Sequence, residues 1–323
     1  MRVLFMGSSE ASAQALRGIL KSPVLNVVGV VTQPDRPSGR SQRLSACPCK
    51  AYAFKRKIGP VITPVNVNAP EVVETLAALK PDVIVVVAFG QIMRKPILEM
   101  APHGCVNCHF SLLPKYRGAA PVQSAILAGD EITGVTVMQM DEKMDTGDIL
   151  LTANEPICSD DDAGELMNRL GILGAVTLAK ALKMMLSGEL KRTPQDDSAA
   201  TYCKKISKSD GLVDWNEPAY VIERKVRAYY PWPGAYTFFR RPGQENLLRL
   251  KIHEAAVVPE TEEMMRDVKP GTICMISPIG PLVRTGGRLL GLVTVQPECS
   301  KPMSARDFLN GNHLGIGCQF VSE

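Results

Sequence analysis

The sequence has no uninterrupted apolar run near the ~18 residues that a membrane-spanning helix needs, which argues against a membrane partner. It has no Gly-x-Gly-x-x-Gly. The first strand-to-helix turn reads Gly7-Ser-Ser-Glu, without the glycines that let a backbone approach a dinucleotide pyrophosphate. It has no even set of cysteines: nine thiols behind an N-terminus that reads as a strand fit reduced cysteines and a cytoplasmic location, not a disulfide framework. There is no internal repeat and no low-complexity tract. Charge of one sign is also scarce, since 37 Lys+Arg against 33 Asp+Glu leaves +4, which permits a nucleic-acid partner without requiring one. What is present is core: 45% of 323 residues are apolar, enough for two folded domains.

The first half alternates β-like and α-like segments. Val3–Met6, Val27–Thr32 and the β-branched run Asp82–Ala88 read as strands, and Ala11–Lys21 and Pro70–Leu79 as helices. A strand at 104–110, a helix near Ala120–Ala128, strands at Gly134–Met140 and Ile149–Ala153 and a long helix over Asp162–Leu186 follow. This order predicts an α/β fold with a doubly wound, mostly parallel, Rossmann-like sheet. Residues 187–209 turn polar and read as a linker. Short β-like runs closely punctuated by Gly and Pro then predict a small all-β, OB-like barrel.

One strand carries chemistry. Asn107, His109 and Ser111 stand on alternate positions of Cys105-Val-Asn-Cys-His-Phe-Ser-Leu-Leu-Pro114, so in an extended strand they share one face. An amide and an imidazole together can donate to a developing oxyanion, and the imidazole moves protons near neutral pH. The carboxylate to complete the set is sought in Met138–Asp148, which offers Asp141, Asp145 and Asp148 after a strand and so at the same carboxyl edge. With no Ser or Cys in a nucleophile elbow, direct acyl transfer to an amine fits better than an acyl-enzyme.

Asn107-Cys-His109-Phe-Ser111-Leu-Leu-Pro114, then Arg117-Gly118, and Asp145-Thr-Gly-Asp148 further on, resemble the signature of the folate-dependent formyltransferases. Thr32–Pro37, Val87–Gly90, Gly134–Asp141, Arg227–Gly234 and Ala305–Gly311 extend the resemblance along nearly the whole chain, towards the branch that acts on methionyl-tRNA. It implies 10-formyltetrahydrofolate as cosubstrate and methionyl initiator tRNA as acceptor. It implies Asn107 and protonated His109 at the oxyanion, and Asp145 holding His109. Ser111, Leu112, Leu113 and Pro114 would wall the folate, with Ala88, Phe89, Gly90, Ile92 and Asp141 holding the pterin. Residues 1–189 are then the catalytic domain, 190–208 a linker and 209–323 a tRNA-binding β-barrel, in a monomer with no metal. The turn Gly7-Ser-Ser-Glu-Ala11 departs from the family, which more often has an aromatic at the Ala11 position. The same motifs serve formyl transfer to a small amine, such as a nucleotide sugar or glycinamide ribonucleotide, and formyltetrahydrofolate hydrolysis. A folate- or RNA-binding protein without catalysis is the reading from another class.

The tRNA acceptor is favoured by a basic stretch. Gln33 to Lys57 holds seven cations, among them Arg36, Arg40 and Arg43, against the single acid Asp35. Lys204 and Lys205, with Lys208, Arg224, Lys225 and Arg227, are further candidates for backbone phosphates. Six of the aromatics fall between Tyr229 and Phe239 and read as a packed corner more than as a stacking platform. Cys105-Val-Asn-Cys108 and Cys47-Pro-Cys49 could hold zinc only if their thiols converged, whereas i and i+3 on a strand point to opposite faces.

Overall fold

The computed structural model describes residues 1–38, 43–259 and 268–322. Contacts divide the chain into two compact units. One comprises Met1–Val122, Glu131–Ile157 and Glu165–Lys204, and the other Gln123–Asp130, Cys158–Gly164 and Lys205–Glu323.

In the first unit β1 (Arg2–Gly7), β2 (Asn26–Val31), β3 (Val61–Ile62), β4 (Val83–Val87), β5 (Cys105–His109), β6 (Ile132–Gln139) and β7 (Ile149–Pro156) form one sheet in the order β7-β6-β5-β4-β1-β2-β3. From β3 to β5 neighbours run parallel, and β6 and β7 are antiparallel additions. β4 is the β-branched run, and all of Val83–Val87 is buried, as a strand covered on both faces requires. Helix α1 (Glu10–Leu20) starts at a capping box, where the Ser9 and Ser12 side chains satisfy each other's backbone N–H. The Ser12 hydroxyl also donates to Val87 O at 2.6 Å, tying the turn after β1 to the end of β4. The strand order reverses between β1 and β4, which opens a crevice at their carboxyl ends.

The helix α2 (Pro70–Ala78) falls where predicted, and α3 (Ala163–Ser187) is the long one. By length and composition α3 could cross a membrane, contrary to the expectation that no segment could. One face of it is buried, with Leu166, Leu170, Leu178 and Leu182 all 0% exposed, while Ile172 and Val176 are 56% and 65% exposed. Small residues let it lie close to its neighbours: a Cβ on Gly18 of α1 would stand 2.9 Å from the Ala175 Cβ, and one on Gly174 would stand 3.0 Å from Cys108 Sγ of β5.

The second unit is an antiparallel sheet, β10 (Ile273–Ser277), β11 (Gly280–Arg284), β12 (Leu289–Pro297), β9 (Leu248–Val258), β8 (Ala235–Phe239) and β13 (Phe320–Val321) in that order. It is not all-β. The helices α4 (Ala219–Ala228) and α5 (Ala305–Asn312) lie in its core through Ala219, Ile222 and Val226, and through Phe308 and Leu309. The apolar spacing of α4 was hidden by the cations between. Phe239 meets Phe308 edge-on at 4.9 Å and Trp215 stacks on Phe320 at 5.8 Å. Of the aromatic corner, Tyr229 and Phe239 are buried, while Trp232 is 53% exposed.

All nine cysteines are free. Cys105 Sγ reaches Ile97 O at 3.4 Å, while Cys108 faces α3. Burial pushes both thiols up to about 12, and burial followed by the charges of Cys47 and Glu10 does the same for Cys49. A thiol is reactive only as its thiolate, so these three sites are inert near neutral pH. Alkylation of the native protein, read by peptide mass spectrometry, is expected to label exposed Cys158 and Cys299 first and to spare Cys49, Cys105 and Cys108 until unfolding. Native labelling of Cys105 or Cys108 at the rate of Cys158 would contradict the packing.

Candidate active site

β5 lies between β4 and β6, with Asn107 opposite Val86 on one side and Met138 on the other. Asn107 is half-buried, and its side-chain amide has no hydrogen-bond partner among the described residues. His109 is 6% exposed. Its Nε2 lies 2.9 Å from Tyr116 O, and a carbonyl only accepts, so Nε2 carries the hydrogen. Nδ1 is therefore the ring nitrogen without that hydrogen.

Nδ1 faces Asp145 Oδ2 at 3.8 Å, close enough for charge attraction but too long for a hydrogen bond. Oδ2 accepts instead from the Gly118 N–H at 2.8 Å. Asp145 does reach His109, though not by the expected route. β6 runs antiparallel to β5, so Gln139 pairs Val106 near the start of β5 while Thr136 pairs His109 at its end. The loop after β6 begins at the wrong end of β5 and folds back along it. Asp145 sits in that loop at φ +56, and a Cβ on Gly147 would stand 1.8 Å from Gln139 O, so only glycine fits there.

The shared face does not extend to Ser111. β5 stops at His109, and Ser111 lies in the following turn, 0% exposed, with its hydroxyl donating to Lys115 O at 2.6 Å. Thr136 Oγ1 donates to Ser111 O at 2.7 Å and accepts from Leu113 N at 3.0 Å, which fixes that turn. Leu113 is buried, while Leu112 and Pro114 are half-buried. At the end of β4, Ala88 (φ +43) and Gly90 (φ +86) are exposed in left-handed conformations that present backbone, and Phe89 between them is 2% exposed. Ile92 is 76% exposed. Asp141 is exposed and accepts from Thr146 Oγ1 and Lys143 N, so it shapes the 141–146 loop. Ala11 is buried on α1, its Cα 3.4 Å from where a Cβ on Gly171 would stand, so the departure from the family falls at a helix–helix contact.

The polar stretch expected as a linker is built onto the first unit. Thr193 bridges Ile149, and Tyr202–Cys203 pairs parallel with Arg117–Gly118. Arg117 is 1% exposed, and a guanidinium so far out of water must be paired. It donates to Gln195 Oε1 at 2.9 and 3.1 Å, to Asp197 Oδ1 at 2.7 Å and to the Tyr202 hydroxyl at 3.3 Å. Burial works against its charge, but the bonds to Asp197 and Tyr202 outweigh it and hold the pKa above the ordinary value. Gln195 is the residue of this arrangement that the sequence concealed. A glutamine among polar neighbours carries no signal, and the need of a buried Arg117 for acceptors emerges only from the fold.

Of the cationic candidates, Arg36 is exposed in a short ribbon where Arg36–Ser38 pairs with Arg43–Ser45, and its Nη2 donates to Gln33 Oε1 at 3.2 Å. Arg43 belongs to the second strand of that ribbon, and Arg40 lies outside the described residues. Lys204 and Lys205 are exposed. Lys225 pairs with Glu217 at 2.7 Å, Arg227 pairs with Glu223, and Arg224 donates to Ala128 O at 3.2 Å, so these three are engaged within their own unit.

Fold and site together define an open α/β unit in which a loop brings a carboxylate towards an amide and an imidazole on one strand; the chain's other unit is an antiparallel sheet. A family model described as formyl transferase matches residues 1–182, and one described as formyl transferase, C-terminal domain, matches residues 205–313, so the chain belongs to the formyl transferase family. Among its relatives is the methionyl-tRNA formyltransferase of Chloroflexus aggregans, 46% identical over 97% of this chain and 98% of the relative. That of Geobacter sulfurreducens is 42% identical over 98% of this chain and 96% of the relative. Solved structures share the fold. The sugar 3N-formyltransferase WlaRD superposes with TM-score 0.64 at 18% identity, covering 93% of this chain and 99% of that one. HypX from Aquifex aeolicus, in complex with tetrahydrofolic acid, superposes with TM-score 0.61 at 18% identity, covering 98% of this chain and 48% of that one.

Gly118 stands at φ +121, and a Cβ there would meet Cys203 O at 2.3 Å. Gly118→Ala is expected to cost ~1–3 kcal/mol in thermal or urea unfolding and to lower turnover, because the N–H held by Asp145 has to move. Unchanged stability and turnover would show that the close approach is not needed.

Proposed function

We propose that this chain transfers the formyl group of 10-formyltetrahydrofolate to the α-amino group of methionyl initiator tRNA, for translation initiation. The observation that carries this reading is 46% identity across 97% of the chain to a relative of that name, extending over both units. The sugar N-formyltransferases of known structure are 17–18% identical to the chain, and a glycinamide ribonucleotide transformylase is 21% identical over 61% of it, likenesses of fold alone.

The transfer forms a bond from the acceptor nitrogen to the formyl carbon, breaks the bond from that carbon to N10, and passes a proton from the amine to the departing nitrogen. Asn107 donates to the tetrahedral oxyanion, a role supported by its unpaired amide. His109, protonated on Nδ1, adds positive charge beside that oxygen and exchanges the moving proton. Asp145, 3.8 Å away, holds His109 and assists the proton's passage. The exposed backbone at Ala88 and Gly90 suits hydrogen bonding to the edge of a pterin, with Phe89, Ile92 and Asp141 around it and Ser111, Leu112, Leu113 and Pro114 as wall.

Residues 1–189 serve as the catalytic domain, 190–208 connect, and 209–323 are an OB-like tRNA-binding domain. Arg36, Arg40, Arg43, Lys204 and Lys205 contact tRNA phosphates. Nine free thiols suit a monomer working in the reducing cytoplasm.

Offered methionyl initiator tRNA, a methionyl elongator tRNA and small amines in parallel with 10-formyltetrahydrofolate, the protein is expected to formylate the initiator. Preferential formylation of a small amine would overturn the reading. His109→Ala and Asp145→Ala are each expected to lower kcat by ~10²–10⁴ with folate binding kept. Reversing the charge of Arg40 and Arg43 together is expected to raise KM for tRNA and to flatten its salt dependence, by a slope of about 1 or more. An unchanged KM and slope would remove Arg40 and Arg43 from the tRNA contact.

A further inference from the structure

We propose that Gln195 is a positioning residue for Asp145: its side-chain amide clamps the carbonyls on either side of Thr146 and so aims the carboxylate at His109. This rests on the role given to Asp145 above.

The clamp is complete at both ends. Nε2 donates to Asp145 O at 2.9 Å and to Gly147 O at 2.8 Å, which uses both amide hydrogens. Oε1 accepts from Arg117 Nε and Nη2, which uses both lone pairs. The orientation of the amide is therefore unambiguous. Turned over, it would set donors against the guanidinium and its oxygen against two carbonyls. Arg117 is held in turn by Asp197 and Tyr202.

Asp145 needs such a clamp for two reasons. It is a non-glycine residue at φ +56, a conformation that persists only when its surroundings impose it. Its carboxylate also has no hydrogen bond to the imidazole, since Nδ1 is 3.8 Å away, so nothing at His109 fixes its place. The two restraints that do act come from one side of the site. Gln195 fixes the backbone of the loop, and the Gly118 N–H fixes the carboxylate. Gly118 is itself paired with Cys203 in the short ribbon that follows Gln195 in the chain. A shift of about 1 Å in a reacting group can cost ~10²-fold in rate without weakening binding.

Two substitutions separate this role from a merely structural one. Gln195→Glu keeps an acceptor for Arg117 but has no N–H for either carbonyl. Gln195→Ala loses both functions. Steady-state kinetics of formylation of methionyl initiator tRNA, with melting temperature as the check on folding, are expected to show kcat reduced ~10–100-fold in both variants. KM for folate and tRNA should stay within about twofold. On an Asp145→Ala background, Gln195→Ala should change kcat by less than about threefold, because the residue it positions is gone.

Near-normal turnover in Gln195→Glu would overturn the proposal and assign Gln195 to Arg117 alone. A full additional loss on the Asp145→Ala background would overturn it too, as would a raised KM at unchanged kcat. Near-normal turnover of Asp145→Ala alone is a different failure. It would remove the role of Asp145 and the present inference with it.

Discussion

A guanidinium almost wholly withdrawn from water is the constraint from which the site is built. Arg117 has five N–H donors and no way to shed its charge, so the chain has to bring acceptors to it. Those acceptors come from Gln195, Asp197 and Tyr202, which belong to a stretch with hardly any apolar surface of its own. The pairing explains why that stretch is laid down on the first unit. It also explains how a loop starting at the wrong end of β5 is held where its carboxylate meets His109. Without that charge Gln195 Oε1 loses its donors, and the ribbon at Tyr202–Cys203 and the left-handed turn at Asp145 are left to backbone pairing and to the Gly118 N–H.

The site itself divides labour between two kinds of group. Asn107 and His109 stand on the interior strand β5, between two hydrogen-bonded neighbours, and cannot move without the sheet. Asp145 is on a loop and depends on second contacts. That division suits acyl transfer between two bulky partners. In the proposed reaction the oxyanion donors have to be preorganised, while the residue that helps move the proton needs to be aimed but not buried. His109 shows the same economy. The Tyr116 carbonyl takes one ring nitrogen and thereby leaves the other facing the carboxylate.

Much of this was legible in the residues. The β-branched run at Asp82–Ala88 could only be a doubly covered strand, and alternation along Cys105–His109 put Asn107 and His109 on one face. Three things were not legible. Strand direction is not written locally, so the loop bearing Asp145 was expected at the carboxyl edge when β6 in fact runs the other way. Strand length is set by hydrogen bonding to neighbours, so Ser111 was placed on a face that had already ended at His109. Polar residues look alike whether solvated or bound, so Gln195 read as linker, and the helix α4 went unread behind its charged Glu223, Arg224, Lys225 and Arg227. Each miss is a case in which tertiary pairing, and not local preference, decided the outcome.

The central claim is that the unpaired amide of Asn107 meets the oxyanion formed when formyl passes to methionyl initiator tRNA. The measurement that tests it most directly is the single-turnover rate of that transfer from 10-formyltetrahydrofolate, compared between the wild-type chain and Asn107→Ala, with folate affinity measured alongside. The account predicts a rate lower by ~10²–10³ at unchanged folate affinity, the usual cost of one oxyanion donor. A transfer rate equal to wild type would contradict it.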